Sequence, residues 1–147
     1  MPNAIKWEAA PTSRSTILTT ELNSLANGSY SAVGTVIDNS ANLDQWGGLE
    51  ISLASLTPTA GAYLQLFLTQ AIDGTNYEDP PSATNPGYHM SVAIVSLATG
   101  AATKRIVIPF FRLPPTKFKP VLLNGAGVAF AASGNTVTLY TDNDEIQ

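Results

Sequence analysis

Short apolar runs alternate with polar residues along this 147-residue chain, and each run is cut off by a turn signal within about a dozen residues. Leu49, Ile51 and Leu53 alternate with Glu50, Ser52 and Ala54, a period of two that turns one face of a strand to a core and the other to water. Leu64, Leu66 and Leu68 repeat the pattern; their opposite face carries Tyr63 and Phe67, so it is predicted to be covered as well. Ile106, Ile108 and Phe110 mark a third strand, Val137 and Leu139 a fourth. Less regular strands are expected over residues 15–22, 29–37, 88–97 and 118–123, about eight in all.

Turn chemistry separates these runs: Asn27-Gly28, Trp46-Gly47-Gly48, Pro58-Thr59-Ala60-Gly61, Asp73-Gly74, Asn85-Pro86-Gly87, Thr99-Gly100, Pro114-Pro115, Asn124-Gly125 and Ser133-Gly134-Asn135. Such spacing belongs to an antiparallel β-sandwich or barrel. No window carries an apolar stripe at helical spacing. Residues 126–132 are rich in Ala, yet Gly125, Gly127 and Gly134 favour a loop or strand there. Residues 70–87 read as a long loop. Residues 1–14, with Pro2 and Pro11, read as an extended N-terminal arm, and residues 15–147 as a single domain. Pro109 and Pro120 fall inside predicted strands, which places them at edges or bulges. Lys104, Arg105, Lys117 and Lys119 stand near them as charge gatekeepers against edge-to-edge aggregation.

Charge narrows the function classes. Only 12% of the residues are charged, about half the usual share of 25%, so much of the surface is small and uncharged or apolar, the kind that partners cover. The net charge of −4 argues against nucleic acid as a partner, since phosphate binding needs a basic stripe. Five of the seven cations lie between residues 104 and 119, a local basic edge. There is no cysteine, hence no disulfide and no thiol nucleophile. The start MPNAIKWEAA has no apolar h-region, so no secretory signal is expected. No apolar run reaches the roughly 18 residues that cross a bilayer as a helix. The chain is expected to be soluble, with no membrane partner.

Enzyme chemistry finds little to build on. His89 is the lone histidine, and no serine sits in a G-x-S-x-G elbow; His89 reads as structural, at a loop–strand junction. Asp73, Glu78 and Asp79 place three carboxylates in seven residues. That run fits either a calcium loop or a turn in which Asp73 caps its own backbone. The tail residues Asp142, Asp144 and Glu145 fit either chelation or, as terminal charge runs usually do, a solvated tail. Glu50 reads as a solvated strand carboxylate. Asn27-Gly28-Ser29 spells a glycosylation sequon and reads as a turn. No catalytic residue, cofactor or metal ligand is assigned. Aromatic residues are better pointers, because Trp and Tyr are enriched at protein interfaces. Trp7 lies in the arm with no local core to enter, and is expected to anchor in a neighbouring chain. Tyr63, Phe67 and Tyr77 join it as interface candidates.

Two blocks of the chain carry a family resemblance. Leu64-Gln65-Leu66-Phe67-Leu68 followed by Ala71-Ile72-Asp73-Gly74-Thr75-Asn76-Tyr77-Glu78-Asp79 resembles the strand and DGTNY loop of small tailed-bacteriophage virion proteins. Ile106-Val107-Ile108, Leu113-Pro114-Pro115-Thr116-Lys117-Phe118-Lys119 and residues 124–137 are similar to their C-terminal half. The resemblance implies a β-sandwich of jelly-roll type and a structural role, as in the head decoration (cement) proteins. It implies a homotrimer on the outer surface of the capsid, bridging neighbouring major capsid protein subunits, with the arm ordering on assembly. It implies burial of strand faces such as that of Tyr63 and Phe67 between copies. It carries no catalytic residue. A tail or baseplate component, or a glycan-binding module with Trp46 on its platform, are the alternatives.

Overall fold

The alternation dictates which residues pair into sheets. The computed structural model describes residues 5–7, 14–78 and 87–146. Its strands are β1 (Ile5–Trp7), β2 (Arg14–Leu18), β3 (Ile37–Asp38), β4 (Trp46–Leu56) and β5 (Tyr63–Ala71). They continue as β6 (Ser91–Ser96), β7 (Ala102–Arg112), β8 (Lys117–Gly125), β9 (Thr136–Asp142) and β10 (Asp144–Ile146). Among the described residues, helix is confined to single 3-10 turns at Thr20–Leu22 and Tyr88–Met90. Eight strands form two four-stranded antiparallel sheets, ordered β2-β9-β4-β7 and β3-β8-β5-β6. Between β2 and β9, every connection except β5–β6 crosses from one sheet to the other.

Period-two patterning fills the space between the sheets. Ile17, Leu18, Leu49, Ile51, Leu53, Val137 and Leu139 come from the first sheet. Leu64, Leu66, Leu68, Phe118 and Leu122 meet them from the second. Each fully buried aliphatic side chain contributes about 1.5–3 kcal/mol, more than the roughly 1 kcal/mol net of a hydrogen bond. The core therefore sets the sandwich. A register shift between Thr16 and Leu18 accompanies the burial of both Ile17 and Leu18.

β5 is buried on both faces, as its second apolar face predicts, but the cover comes from this chain. Phe67, Val121 and Leu123 form a second cluster on the outside of the second sheet, beneath Met90, Tyr30 and Val33. The Tyr30 and Phe67 rings meet edge to face at 5.9 Å. The segment that supplies this cover departs from expectation. Residues 29–37 hold no long strand; only Ile37 and Asp38 pair regularly, with Phe118 and Lys117. Residues 28–34 instead run beside β8 in irregular conformation. Ser31 N–H donates to Leu122 O at 2.8 Å, Gly34 N–H to Pro120 O at 2.9 Å, and Asn124 N–H to Ser29 O at 3.0 Å. Ser31 Oγ accepts from Leu122 N–H at 3.0 Å.

Both prolines sit where the ladder needs no donor. Pro109 lies in edge strand β7, where Gly47 opposes Phe111 and Leu49 opposes Ile108, so Gly48 faces two residues across a bulge. Pro120 opposes Leu68, and its missing N–H points away from β5, to the side where its carbonyl accepts from Gly34.

Several turn signals belong to strands. Trp46-Gly47-Gly48 opens β4, and Asn124-Gly125 ends β8. A Cβ on Gly47 would strike Leu113 Cδ2 at 2.7 Å, and one on Gly125 the Tyr63 ring at 2.6 Å; close packing, not turn geometry, selects these glycines. Residues 126–135 form an irregular segment. Of the expected arm, Ile5–Trp7 pair with Asp144–Ile146 as a two-stranded ribbon, and Arg14 opens β2. Residues 1–4 and 8–13 lie outside the described residues, as do residues 79–86 of the long loop.

Candidate functional site

The two outer faces of the sandwich differ. The chain covers that of the second sheet over β5 and β8, leaving Ile94 on edge strand β6 65% exposed, whereas on the first sheet outward positions of all four strands form one continuous face. Parity and register bring them together. At one end Trp46 on β4 lies between Asp142 on β9 and Arg112 on β7. Next come Arg14, Tyr140 and Gly48 in line, with Phe110 beyond the bulge. Thr138, Glu50 and Val107 follow, then Thr136, Ser52 and Arg105. Three aromatic rings and three guanidinium groups thus share one face, the residue types that dominate binding energy at protein interfaces.

Glu50 organises the electrostatics. Its Oε2 accepts from Arg105 Nη2 at 2.8 Å and from the Tyr140 hydroxyl at 3.0 Å. Arg14 Nη2 stands 3.6 Å away, donates to the Tyr140 hydroxyl, and sits over the Tyr140 ring with its guanidinium carbon 4.6 Å from the centroid. The Glu50 side chain is 17% exposed. The hydrogen bond from Arg105, then that from Tyr140, hold its carboxyl below the usual glutamate range, and Arg105 is raised in turn. Glu50 is therefore a paired carboxylate, not the solvated one expected. Arg112 lies 5.7 Å from the Trp46 ring.

Beside this network a notch of about 190 Å³ opens between Tyr140 and Phe110, floored by Gly48 and walled by Val107 and Pro109. The absent side chain of Gly48 makes it. A Cβ there would meet the Ile108 carbonyl oxygen at 3.6 Å and the Phe110 ring at 3.8 Å, both ordinary contacts. Val107 is 66% exposed and Phe110 46%.

The residues singled out by sequence lie elsewhere. Phe67 is wholly buried in the second cluster, so this chain leaves it no surface for a partner. Tyr63 lies across Gly125 and is partly exposed. Tyr77 is half-buried, with Lys119 Nζ 3.9 Å from its ring centroid. Trp7 has its backbone opposite Asp144, and its side chain lies outside the described residues. The expected gatekeepers are engaged: Arg105 with Glu50, Lys117 with Asp38 at 3.5 Å, Lys104 with Gly100 O at 2.9 Å, and Lys119 with Tyr77.

In the acidic loop Asp73 caps its own backbone, and Asp79 lies outside the described residues. Asp73 Oδ1 accepts from Thr75 N–H at 2.9 Å and Asn76 N–H at 2.7 Å, and Oδ2 accepts from Asn76 Nδ2 at 2.7 Å. These bonds, led by those from Thr75 and Asn76, lower the Asp73 carboxyl's proton affinity. Gly74 takes φ +76°. Among the described residues no group of three or more His, Asp or Glu is placed to hold a metal ion, and no helix is long and apolar enough to cross a membrane. His89 Nε2 lies 3.5 Å from Glu78.

The open face escaped the sequence because its members come from four strands whose pairing no local pattern states. The available signal was the outward parity of Glu50, Val107 and Tyr140 once their strands had been recognised. No family model, curated protein or solved structure matches the chain.

Proposed function

We propose that the chain is a structural virion protein that decorates a bacteriophage capsid from outside, bridging neighbouring major capsid protein subunits as a homo-oligomer. The observation that carries this reading is the strand order. Counted from β2 as the first of eight, the sheets run 1-8-3-6 and 2-7-4-5, which supports a jelly roll, the double Greek key used by viral capsid proteins and by lectins. The open face of aromatic and arginine side chains supports a binding role, and the family resemblance of residues 64–79 and 106–137 supports the virion. In this reading the chain is not an enzyme and needs no cofactor. The terminal segment around β1 reaches the shell and Trp7 anchors it.

The test is cosedimentation with shells assembled from the major capsid protein encoded alongside it. The full chain saturates the shells, and deletion of residues 2–13 abolishes binding while the cooperative melt is kept. No binding by the full chain contradicts the decoration reading; unchanged binding by the truncated chain contradicts attachment through the arm. One observation favours a second reading, a glycan-binding module: the notch sets Phe110 and Tyr140 beside the Glu50 carboxylate. Glycan-array binding that disappears in Trp46→Ala decides for it.

A further inference from the structure

Of the large hydrophobic side chains exposed on the described surface, Ile72 is exposed further than Val107 at 66%, Ile94 at 65% or Leu43 at 55%, and it and the Gly48 notch stand among groups of opposite charge. Ile72, just past β5, is 80% exposed, the most exposed of the large hydrophobic residues described. It sits on a tied loop. Asp73 accepts three hydrogen bonds within the loop, and Glu78 N–H closes its base by donating to Gln70 O at 2.9 Å. A loop held this way loses little conformational entropy on docking. Its carboxylates are Asp73 at the turn and Glu78 at the base, the latter with His89 Nε2 3.5 Å away.

The notch at Gly48 has the complementary character. Around it stand Arg14, Arg105 and Arg112, while Glu50 is spent on two of them and Asp142 is buried with its Oδ1 accepting Asn143 N–H at 2.8 Å. In a chain of net charge −4 this face has a surplus of guanidinium. We infer that the Ile72 loop of one copy docks in the Gly48 notch of the next, with the Asp73 and Glu78 side facing the arginines. Opposite charge gives the pair its register and orientation, and the aliphatic side chain in the notch supplies the anchor. The two surfaces are different, so the contact is head to tail, and repetition gives a closed ring or an open filament. The contact rests on the chain's own surface and needs no shell; it goes beyond the decoration reading only by naming the surfaces through which copies meet.

Complementation tests it. Ile72→Glu removes the knob and keeps the notch; Gly48→Leu fills the notch and keeps the knob, and the ordinary contacts of a Cβ at Gly48 predict that it folds. Val107→Glu, at the exposed notch wall, replaces it if it does not. By sedimentation velocity, the wild type runs above monomer mass and each variant weakens association by about tenfold or more. An equimolar mixture of the two variants forms a one-to-one dimer through the single intact knob and notch. A wild type that stays monomeric at its highest soluble concentration, a variant that still assembles, or a mixture that stays monomeric overturns the inference. Shell binding is scored separately by cosedimentation, so failure here and failure of the decoration reading are distinct results.

Discussion

A carboxylate on the outward side of a strand usually stands in water. Glu50 instead accepts from partners 55 and 90 residues away along the chain. The depressed carboxyl carries a definite pH signature. A group with a lower proton affinity in the folded state leaves the unfolded state binding more protons, so its contribution is complete above the unfolded value, about 4.3 for Glu, and is lost as pH falls through the lower folded value. The stability of the wild type should therefore fall more steeply between about pH 5 and pH 3 than that of Glu50→Gln, measured by denaturant titration at each pH. Parallel curves would show that the Arg105 and Tyr140 contacts contribute nothing. That Glu50 points outward was legible from Leu49 and Ile51 on either side; that it meets Arg105 and Tyr140 was not, because distant pairing is invisible to a local pattern. Asn124 teaches the same lesson. Asn-Gly reads as a turn, yet the buried Asn124 side chain donates to Leu25 O and Val128 O and accepts from Ala126 N–H, fastening two irregular segments to the end of β8.

At the scale of elements, strong alternation was reliable, and of the four less regular strands expected three are present as β2, β6 and β8 while residues 29–37 are not a strand. β4, β5, β7 and β9 lie where Leu, Ile and Val recur every second residue, because burial of one face fixes both conformation and register. Residues 29–37, with Ala32, Val33 and Gly34 in place of a repeating apolar series, follow tertiary demand instead. They close the edge of β8 and roof Phe67. Gly34 is the tightest point of that arrangement, since a Cβ would run into the Ile17 carbonyl oxygen and lie 2.7 Å from Leu18 Cδ2 and 2.8 Å from Pro120 Cγ. Thr35 N–H donates to Ile17 O at 3.0 Å, so this stretch stitches the first sheet to the second. Gly34→Ala should cost about 1–3 kcal/mol or more in equilibrium unfolding and speed amide exchange at Leu122. A variant as stable as the wild type would mean that the seam is looser than described.

At the scale of the whole molecule, the low charge density acquires a location. Cover for the second sheet comes from the chain's own residues 28–34 and from Met90. The first sheet keeps an open face of Trp46, Tyr140, Phe110 and three arginines, and the Asp73–Glu78 loop stands on a separate surface with the opposite charge. A protein built this way offers two unlike surfaces to partners. The decoration proposal makes those partners copies of this chain and a capsid shell. Quantitative protein analysis of purified virions, with cryo-electron microscopy to locate the density, tests it most directly. Hundreds of copies on the outer surface of the head are expected; a handful at the tail, or none in the particle, would contradict the decoration proposal.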